Sequence, residues 1–254
     1  YYFYYKPSVM KQMLFPVVTL AVIISSCNLV GGERIRGNGN MKTETRNISP
    51  FDGVSLSGNT DLYVKQDSVF SVRVEADENL MEYIITELDG STLKIRSKDG
   101  ANLKSSRSIK VYVSAPSFNY FKAAGACDIF SENKITSSAA IAIDISGASD
   151  VKMELMAPKV EADLSGAGSL TLSGQTKDFK VDGSGSSDIN CFDLQTENSV
   201  LELSGAGNAD VFASVKLDVR VSGAADIKYK GNATVTQKIS GAGNTDLECL
   251  YIPR

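Results

Sequence analysis

Residues 184–189 read Ser-Gly-Ser-Ser-Asp-Ile, and variants of this phrase recur through the second half of the chain. Each copy begins with Ser or Ala, continues with Gly and small residues, and ends with a polar residue and an aliphatic one. Successive leading glycines are 22, 19, 19, 20, 18 and 18 residues apart. A phrase that returns at so regular an interval indicates a repeat architecture. The leading glycines are Gly125, Gly147, Gly166, Gly185, Gly205, Gly223 and Gly241.

The residues before each glycine alternate between two faces with the period of a β-strand. In the copy at Gly147, Ile145 is on the apolar face and Asp144 is on the charged face. The charged positions of the successive copies are Lys122, Asp144, Asp163, Asp182, Glu202, Arg220 and Lys238. After the glycine, a second strand begins with an aliphatic residue. These aliphatic residues are Ile129, Val151, Leu170, Ile189, Val211, Ile227 and Leu247.

Each repeat is therefore predicted to be a strand, a glycine corner and a second strand. No segment of the repeats shows a helical period, so the predicted fold is all-β, a parallel β-helix with 18–22 residues per coil. An antiparallel β-sandwich is the alternative, because it also has frequent turns. The constant register of the copies favours the solenoid.

Polar residues at the corners are expected to bind backbone N–H groups that no strand pairing satisfies. The predicted corner aspartates are Asp128, Asp150, Asp188, Asp210, Asp226 and Asp246. Glycine suits the corners because the chain turns sharply there and adjacent coils approach closely.

One domain is predicted over residues 47–254, with regular coils over 119–254. Residues 47–118 contain an early copy of the phrase at Gly58 but no further copy before Gly125. Alternation predicts strands over residues 69–75, 91–97 and 108–114. A short capped helix is expected over residues 77–88, with Leu80, Ile84 and Leu88 on one face. We interpret this part as an irregular β portion that shields the open end of the stack.

The N-terminal residues have the pattern of an export signal. Met10 and Lys11 precede an apolar run over residues 13–24, which is shorter than a membrane-spanning helix needs to be. The sequence Ile24-Ser25-Ser26-Cys27 resembles the lipobox of bacterial lipoproteins, which implies that Cys27 is lipidated. We therefore predict a mis-assigned start plus signal peptide over residues 1–26 and a polar tether over residues 27–46.

Composition excludes several kinds of chemistry. The 254 residues include no His, so Ser-His-Asp triads, Cys-His pairs and imidazole metal sites are ruled out. The net charge of −4 gives no sign of nucleic-acid binding. Three cysteines follow Cys27. Cys191 and Cys249 would lie three coils apart, roughly 14 Å, which exceeds the roughly 7 Å that a disulfide tolerates, so free thiols are expected, Cys127 included.

The charged positions carry the sharpest site hypothesis. In a parallel stack Asp144, Asp163, Asp182 and Glu202 would lie one above another, and like charges so close repel. Such a stripe could hold a calcium ion or a cationic ligand, since hard cations bind several carboxylate oxygens. The alternative is a solvated face whose charge is relieved by the neighbouring Lys and Arg residues.

The repeated phrases, such as residues 184–190, together with the lipobox and the polar segment, resemble the family described as putative auto-transporter adhesin, head GIN domain, which is common in Bacteroidetes. The resemblance covers roughly residues 47–250. It implies a right-handed β-helix and an adhesive role in the cell envelope. Its motifs are specific for architecture and weak for chemistry, because they are corner residues.

These observations predict a non-catalytic cell-envelope lipoprotein, held at the outer membrane by a lipid on Cys27, that presents a flat face to a glycan or protein surface. The side of the membrane and the oligomeric state are left open. No cofactor other than calcium is considered. A polysaccharide lyase or hydrolase acting on acidic glycans is one alternative, and a purely structural scaffold is another. The lack of Trp and of long loops argues against an enzyme cleft.

Overall fold

The computed structural model describes residues 32–240 and 248–250. The predicted signal peptide, Cys27, Gly241 and Asp246 lie outside the described residues. No helix within the described part of the chain is long and apolar enough to cross a membrane.

The described chain is almost entirely β-structure. The first nine strands are β1 (Glu33–Arg36), β2 (Met41–Arg46), β3 (Gly53–Gly58), β4 (Thr60–Gln66), β5 (Ser71–Asp77), β6 (Ile84–Asp89), β7 (Thr92–Ser97), β8 (Ala101–Lys104) and β9 (Ile109–Ala115). The next ten are β10 (Tyr120–Gly125), β11 (Asp128–Ser131), β12 (Ile135–Thr136), β13 (Ile141–Gly147), β14 (Asp150–Gly166), β15 (Ser169–Gly185), β16 (Asp188–Phe212), β17 (Lys216–Lys230), β18 (Thr234–Ser240) and β19 (Glu248–Leu250). One 3₁₀ helix spans Glu78–Tyr83.

From β10 onward every strand pairing is parallel, and successive copies of the repeat are hydrogen-bonded in register. Asp144, for example, pairs with Asp163, which pairs in turn with Asp182. The fold is a β-solenoid of about six turns, which confirms the solenoid and excludes the antiparallel sandwich. Its core is the inward aliphatic row of each strand, including Ile143 and Val181, which are buried.

The corner glycines form a ladder in which each residue contacts the previous coil. Gly185 has φ +104°, and a Cβ atom placed on it would lie 2.3 Å from the carbonyl oxygen of Gly166. That oxygen accepts a hydrogen bond of 2.8 Å from the backbone N–H of Ser186. A side chain at this position would therefore meet both an unfavourable backbone conformation and the neighbouring coil.

Corner aspartates form hydrogen bonds between adjacent coils. Oδ1 of Asp128 accepts the backbone N–H of Asp150 at 3.2 Å, and Oδ1 of Asp150 accepts the N–H of Ser169 at 3.0 Å. The assignment of Asp210 as a corner residue is wrong. Asp210 pairs with Lys228, while Asn208 pairs with the corner residue Asp226. The strand register is unbroken from Gly205 to Phe212, so Ala209, and not Val211, takes the first inward position of the second strand.

The phrase at Gly58 belongs to the regular stack, although it lies in the part predicted to be irregular. Gly58 pairs directly with Gly125, and the 66 residues between them occupy the end of the solenoid. There β7 pairs with β3, and β9 pairs with both β4 and β5. These strands lie against the first coil, at the N-terminal end of the core.

Residues 33–36 and 41–46 form strands, so the prediction of a tether over residues 27–46 is wrong for this part. β1 pairs with β8, and β2 pairs antiparallel with β5. The Gly- and Asn-rich stretch that suggested a linker is a turn held by Asp77, whose Oδ1 accepts the N–H of Gly39 at 2.7 Å. The predicted helix over residues 77–88 is also wrong beyond Tyr83, because the chain continues as β6 and pairs antiparallel with β7.

Cys127 and Cys191 are both buried, and neither forms a disulfide with another cysteine among the described side chains. Burial raises the pKa of Cys191 to about 12. The side chain of Cys249 lies outside the described residues.

Candidate ligand-binding groove

A groove follows the stacking direction and crosses the first strand of each successive coil. Two rows of side chains border it. The groove has a volume of about 830 Å³. The row that we call the charged column consists of Lys122, Asp144, Asp163, Asp182, Glu202, Arg220 and Lys238. The row that we call the serine column consists of Ser146, Ser165, Ser184, Ser204, Ser222 and Ser240.

The strand period produces both columns. Each charged residue and the serine two positions later point to the same outward face, and the residue between them points inward. Parallel stacking in constant register then repeats each side chain about every 4.8 Å along the groove. Gly183 interrupts the inward row, and the side chain of Leu203 lies over it, since a Cβ atom on Gly183 would be 2.7 Å from Leu203 Cδ2. Leu203 therefore contributes an apolar patch to the groove floor.

Most acids of the charged column have a partner. The Tyr120 hydroxyl donates a 2.6 Å hydrogen bond to Asp144, and burial together with this carboxylate raises the pKa of Tyr120. Lys180 lies 2.7 Å from Asp182 and 3.8 Å from Glu202. Glu202 also pairs with Arg220. The acidic middle of the column is thus partly neutralised from the side.

Asp163 is the exception. It accepts no hydrogen bond and forms no ion pair with any other described residue. Burial and repulsion from Asp182 and Asp144 raise its pKa above the usual range. Lys122 and Lys238, at the two ends of the column, likewise form no ion pair within the described part of the chain. The groove is consequently negative in its middle and positive at both ends.

The calcium hypothesis gains no support from this arrangement. The structure brings Asp144, Asp163, Asp182 and Glu202 into consecutive register, as expected. However, no group of three acidic or thiol side chains among the described residues is placed to hold a metal ion. The acids stand in single file along the stack, so their oxygens do not converge on one point. The groove offers carboxylate, ammonium, guanidinium and hydroxyl groups for hydrogen bonding to a polar ligand.

The groove continues beyond the regular repeats, which sequence reasoning missed. Past Lys122 it meets a second depression of about 420 Å³ that is lined by Ser55, Lys94 and Arg96. Ser55 pairs with both Lys122 and Lys94, so the charged column extends onto the covering strands. The phrase at Gly58 was the signal that could have placed Ser55, had its direct pairing with Gly125 been recognised.

A row of aromatic residues lies outside the groove, on the paired strands β4, β9 and β11. Tyr63 stacks on Tyr112 with ring centroids 5.0 Å apart and on Phe130 at 5.4 Å. Arg73 covers the outer face of Tyr112 at 4.2 Å. Because the ring faces are turned toward each other, this row joins the first coil to its neighbours and offers little ring surface for stacking on a sugar.

Comparison with known proteins identifies a family and a set of similar structures. Residues 50–233 match the family described as putative auto-transporter adhesin, head GIN domain. No curated protein matches the chain.

Three solved structures illustrate the similarity. A putative adhesin from Bacteroides fragilis is 20% identical, with 82% of this chain and 96% of that chain covered and a TM-score of 0.74. A putative adhesin from Parabacteroides distasonis is 25% identical, with 83% and 98% covered and a TM-score of 0.66. A putative lipid binding protein from the same species is 25% identical, with 84% and 98% covered and a TM-score of 0.66.

Proposed function

The chain belongs to the family of the putative auto-transporter adhesin, head GIN domain, and on this premise we propose that it is a non-catalytic binding module of the cell envelope. One observation carries the proposal: the charged column and the serine column border an open groove of about 830 Å³ along the stack. A surface that presents a charged side chain and a serine at each successive coil suits a ligand that is itself an extended chain of polar units.

A glycan fits this groove better than a lipid chain does. Its hydroxyl groups can donate to Asp163 and Asp182 and accept from Lys122, while Leu203 supplies a small apolar contact. An acyl chain would need a lining depleted of charge, because desolvating charged groups without partners is costly. The description of one related structure as a putative lipid binding protein applies to that protein.

Blocking the groove is expected to weaken glycan retention. Ser184 is exposed in the middle of the serine column, so Ser184→Tyr places a large ring across the groove. We expect at least a tenfold weaker retention on immobilised pectic and host glycans, since the ligand can no longer lie along the floor. Affinity chromatography and calorimetry on the same glycans measure the effect.

Asn190→Tyr provides the matched control, since Asn190 is exposed in the same coil but lies beyond the glycine corner and does not line the groove. This variant should bind as the wild type does. Equal loss in both variants would contradict the groove assignment. Release of shortened glycan would favour the lyase or hydrolase alternative, and absence of any retention would favour a structural scaffold.

We further propose that a lipid on Cys27 anchors the domain in the outer membrane. The lipobox-like residues 24–27 and the apolar run before them support this. Cys27→Ser is expected to move the protein from the membrane fraction to the soluble fraction and to abolish incorporation of labelled fatty acid. Ser26→Ala, which keeps a small residue before the cysteine, should leave both unchanged. A wild-type chain that stays soluble and unlabelled would refute the anchor.

A further inference from the structure

The described strands at the two ends of the stack differ in their neighbours. At the N-terminal end, β7 and β9 lie against the first coil and cover the core. At the other end, β18 is hydrogen-bonded to β17, and within residues 32–240 and 248–250 it has no second neighbour. A strand with one free edge presents unpaired N–H and C=O groups that can pair with another chain.

The hydrogen bonds of β18 identify which residues face the free edge. The N–H of Thr234 donates to the carbonyl of Val215 in the preceding coil at 2.9 Å. In a parallel strand both backbone groups of a residue point to the same neighbour, and successive residues alternate. Thr234 therefore faces β17, and the backbone groups of Val235, Gln237 and Ile239 face the open edge.

The side chains of the same three residues lie over the exposed end of the core. Ile239 is 36% exposed, whereas Val221, its partner in the coil below, is 3% exposed. Gln237 lies above Val219, which is completely buried. The last described coil thus combines unpaired backbone groups with apolar side chains that have no covering layer among the described residues.

We propose that this edge pairs antiparallel with β18 of a second copy of the chain, about a two-fold axis at Gln237. In this register Gln237 faces Gln237 of the other copy, and Val235 faces Ile239. All edge-facing residues then form hydrogen-bonded pairs, with about six inter-chain bonds. On the outward face Lys238 is opposite Thr236 of the other copy, so no like charges meet. A two-fold interface requires this kind of self-complementarity.

The geometry has a consequence for adhesion that rests on the proposed function. If Cys27 anchors the N-terminal end, the free edge of β18 is at the far end of the stack from the covering strands. Pairing through β18 then places the two covered N-terminal ends at opposite ends of the pair. Such a pair joins two membranes that face each other, so the partner recognised by this adhesin is another copy of itself.

Sedimentation and light scattering on residues 28–254 test the pairing. The wild type is expected to reach the mass of two chains as its concentration rises. Gln237→Pro removes the central donor without breaking a bond to β17, and we expect association at least tenfold weaker with an unchanged circular dichroism spectrum. Gln237→Thr keeps the donor and should pair as the wild type does.

Ile239→Lys is a second variant that disrupts pairing by placing a charge opposite Val235 of the other copy. A wild type with the mass of one chain at every concentration overturns the proposal, as does pairing that survives both Gln237→Pro and Ile239→Lys. If a chain ending at Leu250 pairs while the full chain does not, the edge is covered by the chain's own last residues, and the proposal is again overturned.

Beads that carry the protein through its N-terminus test the joining of surfaces. Wild-type beads should clump, and beads carrying Gln237→Pro should not. Ser184→Tyr is expected to leave clumping unchanged, and Gln237→Pro to leave glycan retention unchanged. Failure of the pairing is thereby distinguished from failure of the groove.

Discussion

Gly185→Ala is expected to lower the free energy of unfolding by about 4 kcal/mol, from the combined costs of a left-handed backbone and an overpacked contact. At φ +104° an alanine is strained in any surroundings. Here its Cβ would also lie 2.3 Å from the carbonyl oxygen of Gly166, which is backbone and can move only if the coil moves. Chemical denaturation followed by circular dichroism measures the loss.

Gly90→Ala separates the two causes. Gly90 has φ +61°, but a Cβ atom on it would meet no atom within 4 Å. We expect this variant to lose only about 1 kcal/mol, the cost of the backbone conformation alone. Equal losses at both positions would show that the contact between coils contributes nothing, and the steric account of the ladder would fail.

Asp77→Asn is expected to cost about 3 kcal/mol, because it disrupts charge-assisted hydrogen bonds to a buried group. Besides Gly39, the carboxylate accepts both hydroxyls of Ser105 and Ser106 at 2.6 Å and the N–H of Ser106 at 2.8 Å. An amide would turn an N–H₂ group toward donors. Since these bonds hold the turn after β1, the variant should also make residues 32–46 sensitive to proteases.

The same carboxylate gives stability a specific pH dependence. Burial alone would raise the pKa of Asp77, but the hydrogen bonds from Ser105, Ser106 and Gly39 outweigh it and hold the pKa well below its usual value of 3.8. Because the folded-state pKa is lowered, this stabilisation is complete above pH 3.8 and is lost as the pH falls below that value. The variant should therefore show a flatter loss of stability in acid than the wild type.

Asp99→Asn is the control for a carboxylate at the surface. Its side chain is 95% exposed and is paired with Arg96, so we expect less than about 0.5 kcal/mol of change. If Asp77→Asn changed the free energy of unfolding as little as Asp99→Asn does, the buried cluster would be energetically no different from a surface ion pair.

The sequence predicted the solenoid and the charged column well because parallel stacking preserves register. Once Gly147 and Gly166 occupy equivalent corners, Asp144 and Asp163 must be neighbours. Prediction failed at Asp210 because the corner was placed by counting back from the aliphatic residue Val211. The strand pairing is unbroken from Gly205 and places Ala209 opposite Ile227, so Asn208 is the corner residue.

Other features depend on contacts between residues far apart in the chain, which no local pattern contains. Residues 77–88 have the composition of a capped helix, yet Asp77 binds groups 38, 28 and 29 residues away. The direct pairing of Gly58 with Gly125 is of the same kind. The groove's extension onto Ser55 and Lys94 follows from that pairing, so it was missed with it.

The covering strands between Gly58 and Gly125 also determine the order in which the molecule can assemble. β2 to β9 lie within residues 41–115, so the chain that forms the covered end is complete before the later coils have emerged during synthesis or export. Forming the covered end requires the whole segment between Gly58 and Gly125 to be ordered, whereas each later coil adds about 20 residues to a stack that is already formed. We therefore expect the slow step of folding to occur once, at the N-terminal end, and each later coil to form on the edge of the preceding one.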